Sequence, residues 1–369
     1  MEQPPFHVWL LVLLLHGATG LRCLDNDGQE VEWWFMYKTP GGYNFSYTDP
    51  SIAATSPMSV FPRAMNDDDP IAITRTLIAL AENPPSPDLA VPVTLNRTTD
   101  TTVSYYLYND EPASGTASSS YGHTKGVVAA DEDGSGLWIS HSTPRWPAST
   151  GKAKFYFPEE EIIYGQTFLC MSLNEGQLDA VGKQQLLTRP AVYHRTRLFA
   201  AANSTIAASY PNIAKVLVGN WDTTPGTRVQ DLHVGHWFSR TTFTSLVKNK
   251  EWNGDMWEGL VASHYSKGLL VESWMRGQRL GPYCPPHKPY TVNDIEAMHM
   301  TGPSGKPVNW HFTQDHAKWA VGLQGDGLIC IGDINRMMSQ RNRGGGAICF
   351  RNRALSQGMF ASINSTASC

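Results

Sequence analysis

The sequence lacks several features that would assign the chain to a common class. Its six cysteines form no CxxC or CxxxxC pair, which argues against a structural zinc site. It contains no heptad repeat and no low-complexity tract, and after residue 20 no apolar run is long enough to cross a bilayer. Its formal net charge is −4, so the chain is not a general polycation. Any nucleic-acid site must therefore carry its positive charge locally.

The composition is that of a globular chain of 369 residues, with 41% hydrophobic and 17% charged residues. This length suffices for a large core or for two lobes of ordinary domain size. The twelve histidines would make the net charge positive in an acidic compartment, because an imidazole gains a proton at about pH 6.5.

The N-terminus predicts a signal peptide over residues 1–20. Residues 8–15 (VWLLVLLL) are too short to span a bilayer and are followed by HGATG, whose small residues suit cleavage near Gly20 and Leu21. The C-terminal tail ASINSTASC is not a lipid-anchor signal, so we expect no membrane anchor.

Cysteines and sequons agree with passage through the secretory pathway. An even number of cysteines fits a set of disulfides, although spacing alone leaves the pairing open. Four Asn-x-Ser/Thr sequons predict a glycoprotein, at Asn44, Asn96, Asn203 and Asn364.

Local patterns predict a mixed α and β protein with substantial sheet. Residues 69–83 have apolar spacing near three and four after an Asp-rich start, as expected for a helix. Short alternating or β-branched runs elsewhere predict strands, for example VSYYLYND (103–110), KFYFP (154–158) and QTFLCMSL (166–173).

One segment recurs at a distance. HTKGVVAADEDGSGLWISHS begins at His123, and HAKWAVGLQGDGLICIGDIN begins at His316. Each has a His-x-Lys triplet, an apolar run, a Gly/Asp turn and a second apolar run, and the chain has no other such triplet. We interpret the two segments as a diverged duplication, which predicts an N-terminal half over 21–190 and a C-terminal half over 191–369.

Each copy predicts a β-hairpin with its polar groups at one end. Residues two apart share a face of a strand, so the imidazole and the ammonium of each triplet project together. In the second copy, the expected register places Asn335 opposite His316 and Asp333 opposite Lys318.

In the first copy, a similar register places His141 opposite Val127, close to Lys125. His141 could act directly, orient His123, or serve as a packed residue.

Two such hairpins brought together would suit phosphodiester cleavage without metal. A neutral imidazole can attack phosphorus, and an imidazolium on the opposite side can protonate the leaving oxygen. Lys125 and Lys318 would stabilise the charge on the non-bridging oxygens. We assign the attack to His123 and the proton donation to His316, although the pseudo-symmetry permits the reverse order.

The segment after the second copy is suited to an anionic substrate. From Ile334 to the C-terminus there is no Asp or Glu, and RGGG (343–346) adds unobstructed backbone amides. Arginine forks bind phosphate oxygens well, but the same residues could form a solvated loop. The predicted substrate-binding residues are Asn335, Asp333, Arg336 and Arg343.

Together these segments resemble the deoxyribonuclease II family. The likeness is carried by HTKG, DHAKW, EWWFMYKTP, YGQTFLC, GDINR and RGGGAIC, in the family's order across nearly the whole mature chain. That family is similar in turn to the phospholipase D superfamily, in which two His-x-Lys motifs from two halves form one active site.

The resemblance implies an acid endonuclease that cleaves DNA without divalent metal or other cofactor and leaves 3′-phosphate ends. It also implies a lysosomal or secreted glycoprotein. A homodimer is compatible with the sequence. By motif, the site residues carried over are His123, Lys125, His316, Lys318 and His141, and Asn335 matches the polar position that closes the second copy.

The resemblance also suggests a disulfide pairing, namely Cys23 with Cys170, Cys284 with Cys369, and Cys330 with Cys349. The sequence departs from the phospholipase D pattern in the Asp that follows each Lys. Asp131 falls one residue late, and the second copy has no equivalent before Asp326. The acid that orients each histidine is therefore unassigned.

Two other functions remain compatible with the residues. One is a secreted DNA-binding or toxin-like glycoprotein of the same fold with little catalysis. The other is a phosphodiesterase that acts on a different substrate, such as a phospholipid.

Overall fold

The computed structural model describes residues 20–80, 103–148, 157–196, 199–200, 204–235 and 240–369. Nearly all of the predicted signal peptide lies outside these ranges, as do the sequons at Asn96 and Asn203. The sequon asparagines Asn44 and Asn364 are exposed. Among the described residues, no helix is long and apolar enough to span a membrane.

The first half of the chain builds a seven-stranded sheet in the order β4-β3-β8-β7-β6-β5-β9, beside a short pair β1-β2. All pairs in this sheet are antiparallel. The strands are β1 (Cys23–Leu24), β2 (Glu30–Val31), β3 (Trp33–Lys38), β4 (Phe45–Thr48), β5 (Ser104–Asn109), β6 (Lys125–Ala130), β7 (Ser135–His141), β8 (Gln166–Asn174) and β9 (Val192–Arg195).

The second half builds a nine-stranded sheet in the order β10-β11-β17-β16-β15-β12-β13-β14, with β18 also paired to β13. Its one parallel pair among the described strands is β12-β13. The strands are β10 (Thr227–Val234), β11 (Thr241–Lys248), β12 (Leu269–Glu272), β13 (Val292–Thr301), β14 (Pro307–His311), β15 (Trp319–Gly322), β16 (Leu328–Gly332), β17 (Gly345–Arg351) and β18 (Ile363–Thr366).

Helices cover the sheets and connect the strands. They are α1 (Ala72–Ile78), α2 (Glu175–Thr188), α3 (Ser204–Ser209), α4 (Pro211–Leu217), α5 (Ser263–Tyr265, continuing the π-helical segment Trp257–Ala262) and α6 (Arg353–Ala361). Single 3₁₀ segments lie at Glu159–Glu161, Phe312–Gln314, Leu323–Gly325 and Met338–Asn342. The predicted mixed α and β class is confirmed.

Local predictions hold in most places. The runs at 103–110 and 166–173 form β5 and β8. The predicted helix at 69–83 begins only at Ala72, because Ile71 is extended and the Asp69 carboxylate pairs with Arg75 at 2.9 Å instead of capping the helix. The run at 154–158 lies mostly outside the described residues.

The two sheets share a succession of strands. The order β4-β3-β8-β7-β6-β5 in the first corresponds to β10-β11-β17-β16-β15-β12 in the second. In both halves a helix follows the strand that pairs with the hairpin, and an asparagine caps its N-terminus: Asn174 accepts from the amide of Gln177, and Asn352 from that of Leu355. The division at residue 190 stays a prediction, and β9, which follows it, pairs with β5.

One core joins the sheets. The Trp33 ring of β3 lies 6.1 Å from Phe243 of β11 and 5.5 Å from Phe350 of β17. Helix α2 lies across the same boundary, where Gln184 Nε2 donates to the carbonyl of Ser245 at 2.8 Å. Burial of large aromatic side chains from both halves therefore fixes the position of one half on the other.

The structure contains the disulfides that the resemblance suggested: Cys23–Cys170, Cys284–Cys369 and Cys330–Cys349. The last joins residues that face each other on β16 and β17.

Arg336 forms a buried ion-pair cluster and is not exposed to a substrate. Its side chain is fully buried, and its NH1 donates to Asp294 Oδ1 at 2.5 Å. Its Nε lies 3.5 Å from Asp255 Oδ2, and its NH2 donates to the carbonyl of Gly281 at 2.7 Å. We therefore leave Arg336 out of the proposed substrate-binding set.

Replacing Arg336 with methionine should lower the free energy of unfolding by about 3–5 kcal/mol, because it leaves two buried carboxylates without a cation. Urea denaturation with the disulfides intact measures this value. Arg351→Met, at an exposed position, is the matched control, with an expected change within about 0.5 kcal/mol. A loss below about 1 kcal/mol in Arg336→Met would contradict the structural role.

Candidate active site

The two His-x-Lys motifs enter equivalent hairpins, β6–β7 and β15–β16, but both predicted registers are wrong. In the second hairpin Trp319 faces Ile331, and Gly332 N donates to the carbonyl of Lys318 at 2.7 Å. Gly332, and not Asp333, therefore stands beside the lysine. The turn closes through left-handed residues, including Gln324 at φ 65°, which simple strand pairing does not anticipate.

In the first hairpin, Ile139 faces Val127 and Ser140 faces Gly126. His141 thus lies two residues further along than predicted, at the level of Lys125.

Each catalytic candidate is anchored by a glycine of the other half. His123 N donates to the carbonyl of Gly344 at 2.8 Å, and His316 N donates to the carbonyl of Gly165 at 2.9 Å. The two glycines precede the equivalent strands β17 and β8. A Cβ at Gly344 would lie 2.3 Å from the carbonyl oxygen of Thr188, so this approach requires glycine.

Two buried lysines hold the loops that carry these glycines. Lys38, at the end of β3, donates from Nζ to the carbonyl of Tyr164 at 2.7 Å. Lys248, at the end of β11, donates from Nζ to the carbonyl of Arg343 at 2.5 Å. Burial lowers the pKa of Lys38 to about 7 and that of Lys248 to about 8. The two halves therefore use the same device to fix the loop on which the opposite histidine rests.

The hydrogen bond to His123 determines its tautomer. Its Nδ1 lies 2.5 Å from the carbonyl oxygen of Asp333. A carbonyl can only accept, so Nδ1 carries the proton and Nε2 presents a lone pair. This is the arrangement that a nitrogen nucleophile needs.

His316 lies in a different environment, with a carboxylate and two aromatic rings. Its Nδ1 is 3.0 Å from Glu161 Oε2, which also accepts from Gln166 Nε2 at 2.9 Å. Its ring stacks on Tyr164 at 4.2 Å and meets the edge of Trp274 at 3.8 Å. A carboxylate at this distance stabilises an imidazolium, so His316 is suited to donate a proton.

The two lysines of the motifs are 4% exposed each, but among the described residues only Lys125 has a carboxylate partner. Its Nζ lies 2.5 Å from Asp110 Oδ1. Lys318 donates to the carbonyl of His316 and forms no ion pair in the part of the chain that the structure describes. Burial and the charge of Lys125 lower the pKa of Lys318 to about 7.

Both motifs meet at one place, because His123 contacts the carbonyl of Asp333, whose neighbour Gly332 is bonded to the carbonyl of Lys318. Burial and then the charges of Lys318, Lys125 and His123 lower the pKa of His316 well below its ordinary value. Burial lowers the pKa of His123, and both lysines add to the effect. The cluster therefore holds four basic groups, contributed equally by the two halves.

The match to known proteins covers this whole region. A family model described as deoxyribonuclease II matches residues 22–369. The chain belongs to the deoxyribonuclease II family.

Three relatives illustrate the similarity. The chain is 30% identical to deoxyribonuclease-2 of Caenorhabditis elegans, with 92% of this chain and 93% of that protein covered. It is 30% identical to plancitoxin-1 of Acanthaster planci, with 96% and 94% covered. It is 29% identical to deoxyribonuclease-2-alpha of Rattus norvegicus, with 95% of each covered. The family prediction is confirmed.

The other residues predicted for this deoxyribonuclease II-family site lie close to it but contact protein groups. Asn335 Oδ1 accepts from the backbone amide of Trp274, the residue whose ring lies beside His316, at 3.2 Å. Burial raises the pKa of the Asp333 carboxyl to about 7. Arg343 donates to Asp110 Oδ2 at 3.1 Å.

His141 is buried at the end of β7. It is 3% exposed, its ring meets Trp146 at 4.7 Å, and its Nδ1 accepts from the amide of Thr143 at 3.2 Å. The proton must then lie on Nε2, which has no hydrogen-bond partner among the described residues. A catalytic role for His141 stays a prediction.

Sequence reasoning missed the acids and aromatic residues of the site. Asp110 follows β5, Glu161 ends a 3₁₀ segment, and Trp274 follows β12. None has a fixed spacing to a histidine, so only the strand order brings them together. Asp131 and Asp326 do not fill the open position, because Asp131 accepts from Leu21 N and Asp326 pairs with Lys267.

Asp110→Asn should destabilise the protein by about 3–5 kcal/mol at pH 7, because Lys125 loses its buried partner. Burial alone would raise the pKa of Asp110, but Lys125, His123 and Arg343 hold it well below its ordinary value. A depressed carboxyl pKa stabilises the fold above the unfolded value of about 3.9 and ceases to do so as pH falls through the folded value.

The difference between Asp110→Asn and the unmodified protein should therefore shrink in urea denaturation well below about pH 4. Glu111→Gln, the adjacent acid in an exposed pair with Arg145, should change stability by less than about 1 kcal/mol. Equal effects of both variants at pH 7 would argue against the buried pair.

Proposed function

We propose that this protein hydrolyses DNA phosphodiesters at acid pH without divalent metal, through a phosphohistidine intermediate. The observation that carries the proposal is the meeting of two histidines, one from each half, beside two buried lysines. The different environments of the histidines support His123 as nucleophile and His316 as acid. The family, and the relatives named deoxyribonuclease-2, support DNA as the substrate.

In the first step, His123 Nε2 forms a bond to phosphorus as the bond from phosphorus to the 5′ oxygen breaks. The leaving oxygen takes a proton from His316 Nε2. Lys125 and Lys318 stabilise the non-bridging oxygens, on which negative charge builds up.

In the second step, water attacks phosphorus and the bond to His123 breaks. His316 Nε2, now unprotonated, accepts the proton of the attacking water and is ready for the next cycle. The products are a 3′-phosphate and a 5′-hydroxyl, and atoms and charges balance without a further reactant.

The preference for acid follows from repulsion within the basic cluster. Lys318 has a pKa of about 7, and the pKa values of both histidines are lowered further. A falling pH adds protons to Lys318 and His316, and a bound phosphodiester favours the same protonation because its charge is opposite. Binding and protonation therefore strengthen each other. The lowered pKa of His123 leaves this nucleophile neutral.

We also propose a phospholipase D-like arrangement and a lysosomal or secreted location. The shared strand order and the single site formed by two halves support a phospholipase D-like arrangement. The disulfides and the exposed sequons at Asn44 and Asn364 support a lysosomal or secreted glycoprotein.

Purified protein should nick supercoiled plasmid in EDTA at about pH 5 and lose this activity as pH rises above about 7. His123→Ala and His316→Ala should each reduce the rate by at least about 10³-fold, since each removes one of the two reacting groups. Gel densitometry of nicked plasmid measures the rate. A strict need for added magnesium or calcium would refute the proposed chemistry.

Glu161→Gln should move the alkaline limb of the pH–rate profile to lower pH by about one unit, because it removes the charge that favours protonated His316. Glu161 Oε2 lies 3.0 Å from His316 Nδ1, and burial raises the pKa of Glu161 to about 7, so the two side chains are placed to share one proton. The glutamine amide cannot take part in this exchange.

The control for this variant is Glu160→Gln, the adjacent exposed acid that pairs with Arg145. Its profile should coincide with that of the unmodified protein. An unchanged limb in Glu161→Gln would exclude Glu161 as the partner of the acid.

A further inference from the structure

A groove of about 340 Å³, open solvent included, lies beside the segment that carries His123. The proposed reaction does not use this groove. We call it the Tyr121–Trp221 groove, after the two aromatic residues that line it. The other residues that matter here are Arg189, Lys250 and Arg343.

The groove adjoins the segment that carries His123. Tyr121 lies two residues before His123, and Gly344, which accepts from the amide of His123, lines the groove. Arg343 NH2 donates to the carbonyl of Tyr121 at 3.0 Å, which holds this wall in place. A DNA strand bound at His123 could therefore extend into the groove.

The groove has an unpaired cationic donor. The Arg189 guanidinium lies 5.4 Å from the centre of the Tyr121 ring, and its Nε is buried without a hydrogen-bond partner among the described residues. Arg189 is the residue that follows the last residue of α2, and its backbone is left-handed, with a φ of 58°. An anion would satisfy this donor.

The acidic residues that line the groove are already paired. Asp222 lies 3.0 Å from the guanidinium of Arg228, and Glu251 lies 3.7 Å from Lys250 Nζ. Asp222 N also donates to the carbonyl of Leu186 at 3.0 Å, which anchors the segment carrying Trp221 to α2. The groove thus combines a guanidinium that forms no ion pair with any described residue and an aromatic ring, the combination that binds a phosphate and a base together.

We propose that the Tyr121–Trp221 groove binds the nucleotide on the 5′ side of the scissile phosphate. Trp221 stacks on the base, and Arg189 contacts the next phosphate. This rests on the proposed function, which also gives the direction. With His123 attacking, the 5′ oxygen leaves towards His316, so the strand retained at His123 is the one that ends in a 3′-phosphate.

The test uses a thymidine trinucleotide ending in a 3′-phosphate, which is a reaction product and therefore binds in a known register. Calorimetry in EDTA at about pH 5 should give a Kd about tenfold weaker for Trp221→Ala than for the unmodified protein. Trp221→Phe should restore most of the affinity. A trinucleotide with abasic sugars should bind equally to Trp221→Ala and to the unmodified protein.

Arg189→Gln should also weaken trinucleotide binding about tenfold, because one phosphate contact is lost. Arg351→Gln makes the same charge change at the far end of β17 and should leave the Kd unchanged. Inorganic phosphate should bind equally to all variants, since it occupies only the catalytic centre.

Two results would refute the proposed role of the groove. One is no measurable binding of the trinucleotide, and the other is an unchanged Kd in Trp221→Ala. Plasmid nicking by the unmodified protein separates the two proposals. If nicking in EDTA persists while Trp221→Ala binds normally, the groove alone is wrong. If the unmodified protein does not nick plasmid, the proposed function fails first.

Discussion

The candidate site depends on one reciprocal contact: each half donates the backbone amide of its histidine to a glycine carbonyl of the other. His123 rests on Gly344, and His316 rests on Gly165. These bonds lie at the entrance to equivalent strands, so the strand order of the two sheets decides where the imidazoles meet. The buried aromatic core fixes the position of the two sheets relative to each other. Neither half could assemble the site alone.

The charge distribution then makes the two halves unequal. Lys125 is paired with Asp110, whereas Lys318 has no carboxylate partner among the described residues, and burial lowers its pKa to about 7. His123 faces a carbonyl, and His316 faces a carboxylate. Similar backbones thus hold one imidazole suited to attack and one suited to proton donation. This difference supports an order of events that the repeated sequence alone left open.

The sequence was sufficient to predict those features of the fold and the site that depend on a local pattern. The two triplets, their hairpins and the mixed class follow from spacing and alternation, and the disulfides from family likeness. The registers could not be predicted, because left-handed turn residues shifted both pairings. Asp110, Glu161 and Trp274 were missed since they approach from other strands. Arg336 looked available for phosphate because its acids, Asp255 and Asp294, lie far away in the chain.

The repeated strand order also has a consequence for how such a site can change. In a dimer of identical subunits, every substitution appears twice, once on each side of the bound phosphorus. A single chain that carries both halves is free of that constraint. Trp274 then lies only beside His316 and Asp110 only beside Lys125, so each side of the site could be tuned independently.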